Sequence, residues 1–259
     1  AVSLSGSGLR VAVGGPRLSD KTGYVATYEQ SGNAWVQLGS ALMGQSPGEM
    51  FGTSISVSQA GDILAIGSLR AMANGQINSG KVSVYRFNAV SSTGLWTFIG
   101  SDLPGPNSGD QFGQSVSLSS DGSRLAIGAN GHDRVGLKNV GACRVFALID
   151  FDWTQVGGTL EGNHDREQSG FSIALSRDGN HLACGGPNSS VDGEKSGVVR
   201  VFQLSSIDES WQQVGEDLIG SEKSAFGSSI AISQDGGYLA IGAPNFTLGD
   251  LERVGIALI

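Results

Sequence analysis

The stretch from Gln111 to Ala129 reads QFGQSVSLSSDGSRLAIGA, and its reading decides the fold. Val116 and Leu118 alternate with Ser115, Ser117 and Ser119, the period of a strand with one buried face. Asp121-Gly122 follows as a hairpin turn, because a two-residue type I′ turn needs positive φ at both central positions. Leu125 to Ala129 is then a short continuous apolar run, suited to a strand buried on both faces.

The same pattern recurs along the whole chain. Val11-Ala12-Val13-Gly14, Leu64-Ala65-Ile66-Gly67, Leu125-Ala126-Ile127-Gly128, Leu182-Ala183-Cys184-Gly185 and Leu239-Ala240-Ile241-Gly242 follow one another at steps of 53, 61, 57 and 57 residues. Phe51-Gly52, Phe112-Gly113 and Phe226-Gly227 lie upstream of their copies, with Ser169-Gly170 at the fourth place. Turn signals stand before each apolar run: Ser7-Gly8, Ala60-Gly61, Asp121-Gly122, Asp178-Gly179 and Asp235-Gly236. A variable loop after the run closes on Gly23, Gly80, Gly141, Gly197 or Gly255. A third strand ends in Tyr28, Tyr85, Phe146 or Phe202. All four tryptophans, Trp35, Trp96, Trp153 and Trp211, share one place in a fourth strand, each with a glycine four residues on.

Repeats of this length with four short strands predict an all-β chain, a β-propeller of four-stranded antiparallel blades. One blade cannot bury both faces, and stacking its neighbours does. The repeats run approximately 1–49, 50–110, 111–167, 168–224 and 225–259, the last incomplete, within a single domain. Five copies of the inner strands but four of the tryptophan strand fit two arrangements. One is a closed five-bladed ring with a thin last blade; the other, preferred, is part of a larger ring. The opening at Ala1, with no Met and no leader-like segment, reads as a processed or excised piece.

Phe-Gly followed by Gly-Ala-Pro, clearest in Phe226-Gly227 with Gly242-Ala243-Pro244, resembles the FG-GAP repeat of integrin α-chain N-terminal propellers and of many secreted proteins. Gly14-Gly15-Pro16 and Gly185-Gly186-Pro187 are close variants, whereas Gly67-Ser68-Leu69 and Gly128-Ala129-Asn130 have drifted. The resemblance implies seven blades and recognition through loops on one face. It also brings in a calcium loop between the first and second strands, which this chain lacks. Ser119-Ser120-Asp121-Gly122 offers one carboxylate where calcium takes six to eight oxygens, so no cofactor is expected and the turn aspartates read as structural.

Composition narrows the function classes. The 259 residues carry a net charge of −8, which argues against nucleic acid and anionic membranes as partners. No apolar stretch is long enough to span a bilayer as a helix, so direct membrane insertion is not expected. Cys143 and Cys184 read as two buried free thiols, with one bridge as the alternative. His132, His164 and His181 fall at different repeat positions and read as solvated loop residues, with no metal spacing among them. Asp150, Asp152, Glu216 and Asp217 read as a solvated outer edge. No catalytic motif appears, so the chain is expected not to be an enzyme.

Strand parity places the long, variable links on one face: those from second to third strand, and those from one blade to the next. The candidate partner-binding residues are therefore Glu49, Met50, Asp110, Gln111, Asp133, Arg134, Lys138, Glu167, Asp192, Glu194, Lys195 and Phe246, with Gln168 beside them. Met50 and Phe246 are the large apolar candidates, which favours a protein partner over a glycan. Asn188-Ser189-Ser190 and Asn245-Phe246-Thr247 are N-glycosylation sequons at one repeat position. The expected function is an extracellular, secreted or cell-surface binding and adhesion module. The alternatives are a scaffold subunit of a larger assembly and, least favoured, a propeller enzyme.

Overall fold

The computed structural model describes residues 1–18, 20–89, 94–249, 251 and 253–259. Among them there is no helix, and the strands form five antiparallel sheets, one for each repeat copy. These are the blades of a β-propeller fold. The first sheet runs Val2–Leu4, Arg10–Gly15, Tyr24–Ser31 and Ala34–Gln37, and Leu42–Met43 returns to the third strand. The second runs Phe51–Val57, Ile63–Ser68 and Lys81–Asn88, with Leu95–Phe98 and Leu103–Pro104 both pairing Lys81–Asn88. The third runs Phe112–Leu118, Arg124–Ala129, Ala142–Ile149 and Asp152–Glu161. The fourth runs Ser172–Leu175, His181–Gly186, Val198–Leu204 and Trp211–Gln213, with Leu218–Ile219 on its third strand. The fifth has three strands, Ser229–Ile232, Leu239–Ala243 and Ile256–Leu258.

The chain divides into two compact units, residues 1–125 with 146–154 and residues 126–145 with 155–259. In the first unit, Ala12, Val25, Phe51, Ile55, Leu64, Ile66 and Trp96 form one buried cluster. Every residue of Ile63–Ser68 is buried, as the continuous apolar run predicts for a second strand covered on both faces. In the second unit, Val145, Ile173, Leu175, Leu182, Phe202 and Trp211 form a cluster with the two cysteines, and Val199, Phe226, Ile241 and Ala243 form another.

Four of the glycines that close the long loops bridge to the start of the next sheet. Gly80 makes an isolated parallel bridge to Phe112, and Gly23, Gly141 and Gly197 make the equivalent bridges to Phe51, Ser169 and Phe226. Gly80 has φ +78°, and a Cβ there would stand 2.1 Å from the Phe112 carbonyl oxygen. A side chain is excluded both by backbone conformation and by the approach of the next sheet.

Two expectations are corrected. Cys143 and Cys184 are not free: they form a disulfide across a Cα–Cα distance of 6.6 Å. Cys143 lies on the third strand of the third sheet and Cys184 on the second strand of the fourth. Both point into the core between those sheets, a facing that their 41-residue separation in sequence conceals. His132 is also no solvated loop residue. It is 7% exposed and its Nε2 lies 3.3 Å from Glu161 Oε1.

Candidate functional loop face

The long loops are built on a repeated backbone device. Lys21, Asn78, Asn139, Lys195 and Arg253, each two residues before a loop-closing glycine, all have positive φ, between +47° and +62°. Met50, Gln111, Gln168 and Ala225, at the start of the following blades, also lie at φ +53° to +59°. These two rows of left-handed residues are tied together. The amides of Met50, Gln111, Gln168 and Ala225 donate to the carbonyls of Lys21, Asn78, Asn139 and Lys195 at 2.9–3.2 Å. Non-glycine residues adopt this conformation at a cost, and the cross-loop bonds hold them in it.

Three of the acidic candidates face inward. Glu49 is 4% exposed, Asp110 2% and Glu167 0%. Each caps the backbone of its own turn: Gln45 N donates to Glu49 at 2.9 Å, Asn107 N to Asp110 at 3.2 Å and Asn163 N to Glu167 at 3.1 Å. Glu167 also receives both terminal nitrogens of the buried Arg200, and His164 Nδ1 lies 3.1 Å from it. Arg200 in turn reaches Asp217 at 2.8 Å, so that aspartate belongs to an inner network rather than a solvated edge. Burial alone would push the Arg200 guanidinium down, but its bonds and proximity to Glu167 and Asp217 outweigh this and raise it. These three carboxylates therefore build the face and do not present it. Met50, Gln111 and Gln168 are half-buried beside them, and Phe246 packs against the core of the fifth sheet.

The exposed candidates are Asp133, Arg134, Lys138, Asp192, Glu194 and Lys195. Asp133 and Lys138 pair at 2.6 Å, and Asn139 N donates to Asp133 at 2.7 Å. The Lys138 bond, then the Asn139 amide, hold the Asp133 carboxyl below its ordinary range. Glu194 and Lys195 line a cleft of about 410 Å³ with Lys223, Thr247, Arg253 and the sequon residue Asn245. Asn245 is exposed, whereas Asn188 is half-buried and donates its amide to Gln168 Oε1 at 2.5 Å.

Sequence reasoning missed the most prominent side chains here. In the first unit Met72 is 68% exposed and Ile77 65%; in the second, Val135 is 100% exposed and Leu248 and Leu251 62% each. They sit at or beside miniature hairpins closed by the bridges Ala73↔Gln76, Arg134↔Leu137 and Leu248↔Leu251. The signal was Asn74-Gly75, Val135-Gly136 and Gly249 within the variable loops, turn glycines with apolar neighbours.

At the other end, the short first-to-second turns close on themselves. Asp121 Oδ1 accepts from Ser119 Oγ at 2.7 Å and from Ser123 N at 3.0 Å, and Asp178 and Asp235 repeat the pattern. Asp235 is held below the ordinary carboxylate range by the Ser233 hydroxyl and then the Gly237 amide. Among the described residues no group of three or more histidine, cysteine or acidic side chains is placed to hold a metal ion. No helix of the described residues is long and apolar enough to cross a membrane.

Blades of this build, with tied loops at one end, define a β-propeller. Residues 104–146 match the FG-GAP repeat, so the chain carries that repeat on a propeller fold. The match falls on the third sheet, whose Gly128-Ala129-Asn130 reads as a drifted copy in sequence. Among solved structures, one described as a putative 6-phosphogluconolactonase from Bacteroides fragilis aligns with a TM-score of 0.57 and 13% identity, over 97% of this chain and 67% of that one. Another so described, from Bacteroides uniformis, aligns with a TM-score of 0.53 and 11% identity, over 99% of this chain and 87% of that one. No curated protein matches the sequence. These structures correct the expectation that the chain is not an enzyme. Chains of the same fold are named as enzymes, so an empty motif search is no ground for setting catalysis aside. At this identity the likeness itself shows the fold.

Proposed function

We propose that the chain is an extracellular recognition module that binds a protein through its second-to-third loops and blade-to-blade links. The supporting observation is the set of apolar side chains held out at the loop tips: Met72 and Ile77 in one unit, Val135, Leu248 and Leu251 in the other. A solvent-exposed valine at the tip of a two-residue turn has no role in the fold around it, and exposed apolar groups rimmed by charge mark interaction surfaces. The Cys143–Cys184 bridge supports an oxidising compartment, where disulfides persist. The exposed sequon Asn245 is compatible with export.

The test is binding of the purified chain to arrayed extracellular proteins and glycans, repeated with Val135→Asp and Leu248→Asp. Phe151→Asp, at an exposed third-to-fourth turn, is the control. Binding lost in the first two variants and kept in the control is the expected result. Equal effects in all three, or binding confined to glycans, would replace the reading. Turnover of a sugar lactone by the same preparation would replace it with an enzymatic one.

A further inference from the structure

Two successive loop junctions in the second unit differ at one contact. Between the third and fourth sheets, Asn188 Nδ2 donates to Gln168 Oε1 at 2.5 Å and ties the fourth loop to the link before it. Between the fourth and fifth sheets, Asn245 stands at the place of Asn188 and Ala225 at the place of Gln168. Alanine has no side chain to cross to Asn245, and the cleft of about 410 Å³ opens beside it. The backbone around this cleft is tied down. Lys223 N donates to the Glu194 carbonyl at 2.7 Å, Ala225 N to the Lys195 carbonyl at 3.1 Å and Asn245 N to the Ser224 carbonyl at 3.1 Å.

The chain carries a net charge of −8, but the described lining of this cleft sets Lys195, Lys223 and Arg253 against Glu194. Lys223 Nζ lies 3.4 Å from Glu222 and 3.9 Å from Glu194, exposed pairs that hold it weakly. Lys195 and Arg253 make no ion pair with a described residue, whereas Lys138 of the preceding loop is matched by Asp133 at 2.6 Å. Apolar groups flank the cations. Val191 is exposed in the fourth loop, and Leu248 and Leu251 are exposed and bridged to each other in the fifth.

We propose, resting on the recognition reading above, that this cleft takes an acidic side chain of the protein partner, with an apolar residue of the same segment on Leu248 and Leu251. The carboxylate would meet the two unpaired cations, and the Asn245 amide and Thr247 hydroxyl offer neutral donors beside them. Complementary charge sets which segment enters, and the backbone that carries Lys195 and Lys223 is already in place before it does. Glu194 and Glu222 at the rim disfavour a polyanion such as a sulfated glycan, whose charges would extend past the cations.

The probe is a rhodamine-labelled peptide, Gly-Leu-Asp-Glu-Leu-Gly, titrated by fluorescence anisotropy with the full chain produced without N-glycans. Saturable binding at or below about 1 mM is expected. It should weaken at least about tenfold in Lys195→Ala with Lys223→Ala, and equally when the acids of the peptide become Asn and Gln. Lys195→Arg with Lys223→Arg keeps the charge and is expected to keep the binding. Both lysines are exposed, so the melting temperature is expected to stay unchanged in either double variant. Equal binding of the acidic and neutral peptides, no binding at millimolar chain, tighter binding of a heparin oligosaccharide than of the peptide, or a glycan on Asn245 of the secreted chain would each overturn the proposal. Binding to arrayed proteins that is lost in Val135→Asp but kept in the double alanine variant would overturn it too, and would leave the recognition reading standing. No array binding by the unaltered chain would overturn that reading and this one with it.

Discussion

Trp35 and Trp96 stand at the same place in consecutive repeats, and their surroundings differ. Trp96 is 7% exposed, packs tilted against Phe87 with ring centroids 5.3 Å apart and donates its indole hydrogen to Thr27. Trp35 is 50% exposed, on a strand whose four residues are all exposed. The residue type is the same and so is the strand; only the presence of a sheet beneath the ring changes. Blade-to-blade packing, rather than anything local, turns this tryptophan from a surface group into a core group. The same lesson holds at the glycines: Gly157 and Gly215 share a φ near +70°, but a Cβ on Gly157 would meet the Trp211 ring at 2.7 Å and one on Gly215 would meet nothing within 4 Å.

The contrast is sharpest in stability. Trp153→Ala removes a 7%-exposed ring and its hydrogen bond and is expected to cost about 3–5 kcal/mol in urea unfolding. Trp35→Ala is expected to cost less than about 1 kcal/mol, in keeping with a surface position. Equal losses at the two sites would mean that the first sheet is covered in solution and would break the comparison.

Glu167→Gln leaves the buried Arg200 short of one of its two carboxylates and is expected to cost about 3 kcal/mol. Asp133→Asn, in an exposed pair with Lys138, is expected to cost at most about 1 kcal/mol by the same measurement. Gly157→Ala and Gly215→Ala both place a Cβ at positive φ, a cost of about 1 kcal/mol. Only the first also meets an indole, at 2.7 Å, so Gly157→Ala is expected to lower the melting temperature by more than Gly215→Ala does.

The smallest effect is the pH dependence of the first-to-second turns. In Asp121 burial pushes the carboxyl up, but the Ser119 hydroxyl and the Ser123 bonds outweigh it, and the net shift is downward. Asp235 is shifted the same way by its own turn. A carboxyl whose pKa is lower in the folded than in the unfolded chain stabilises above its unfolded pKa and loses that contribution as pH falls through the folded value. Thermal stability is thus expected to hold from neutral pH down to about 4 and to decline below it. Asp121→Asn should flatten that decline slightly.

Much of this was legible in the chain itself. The spacing of Val116 and Leu118, the Asp121-Gly122 turn and the recurring Leu-Ala-Ile-Gly determined the strands, their order within a blade and the number of copies. Each of these is a local periodicity or a turn preference, carried by residues close in sequence. The parity of the strands likewise placed Asp133, Lys138, Glu194 and Lys195 on exposed loops. What the chain alone left undecided were contacts that form only once the chain has folded. The inward turn of Glu49, Asp110 and Glu167 depends on backbone amides that the loop presents only once it is folded. The pairing of Cys143 with Cys184, the burial of His132 against Glu161, and the difference between Trp35 and its three counterparts were likewise decided by the tertiary structure. For the cysteines, His132 and the tryptophans the deciding partner lies on another strand or another sheet, brought near by packing and not by order along the chain.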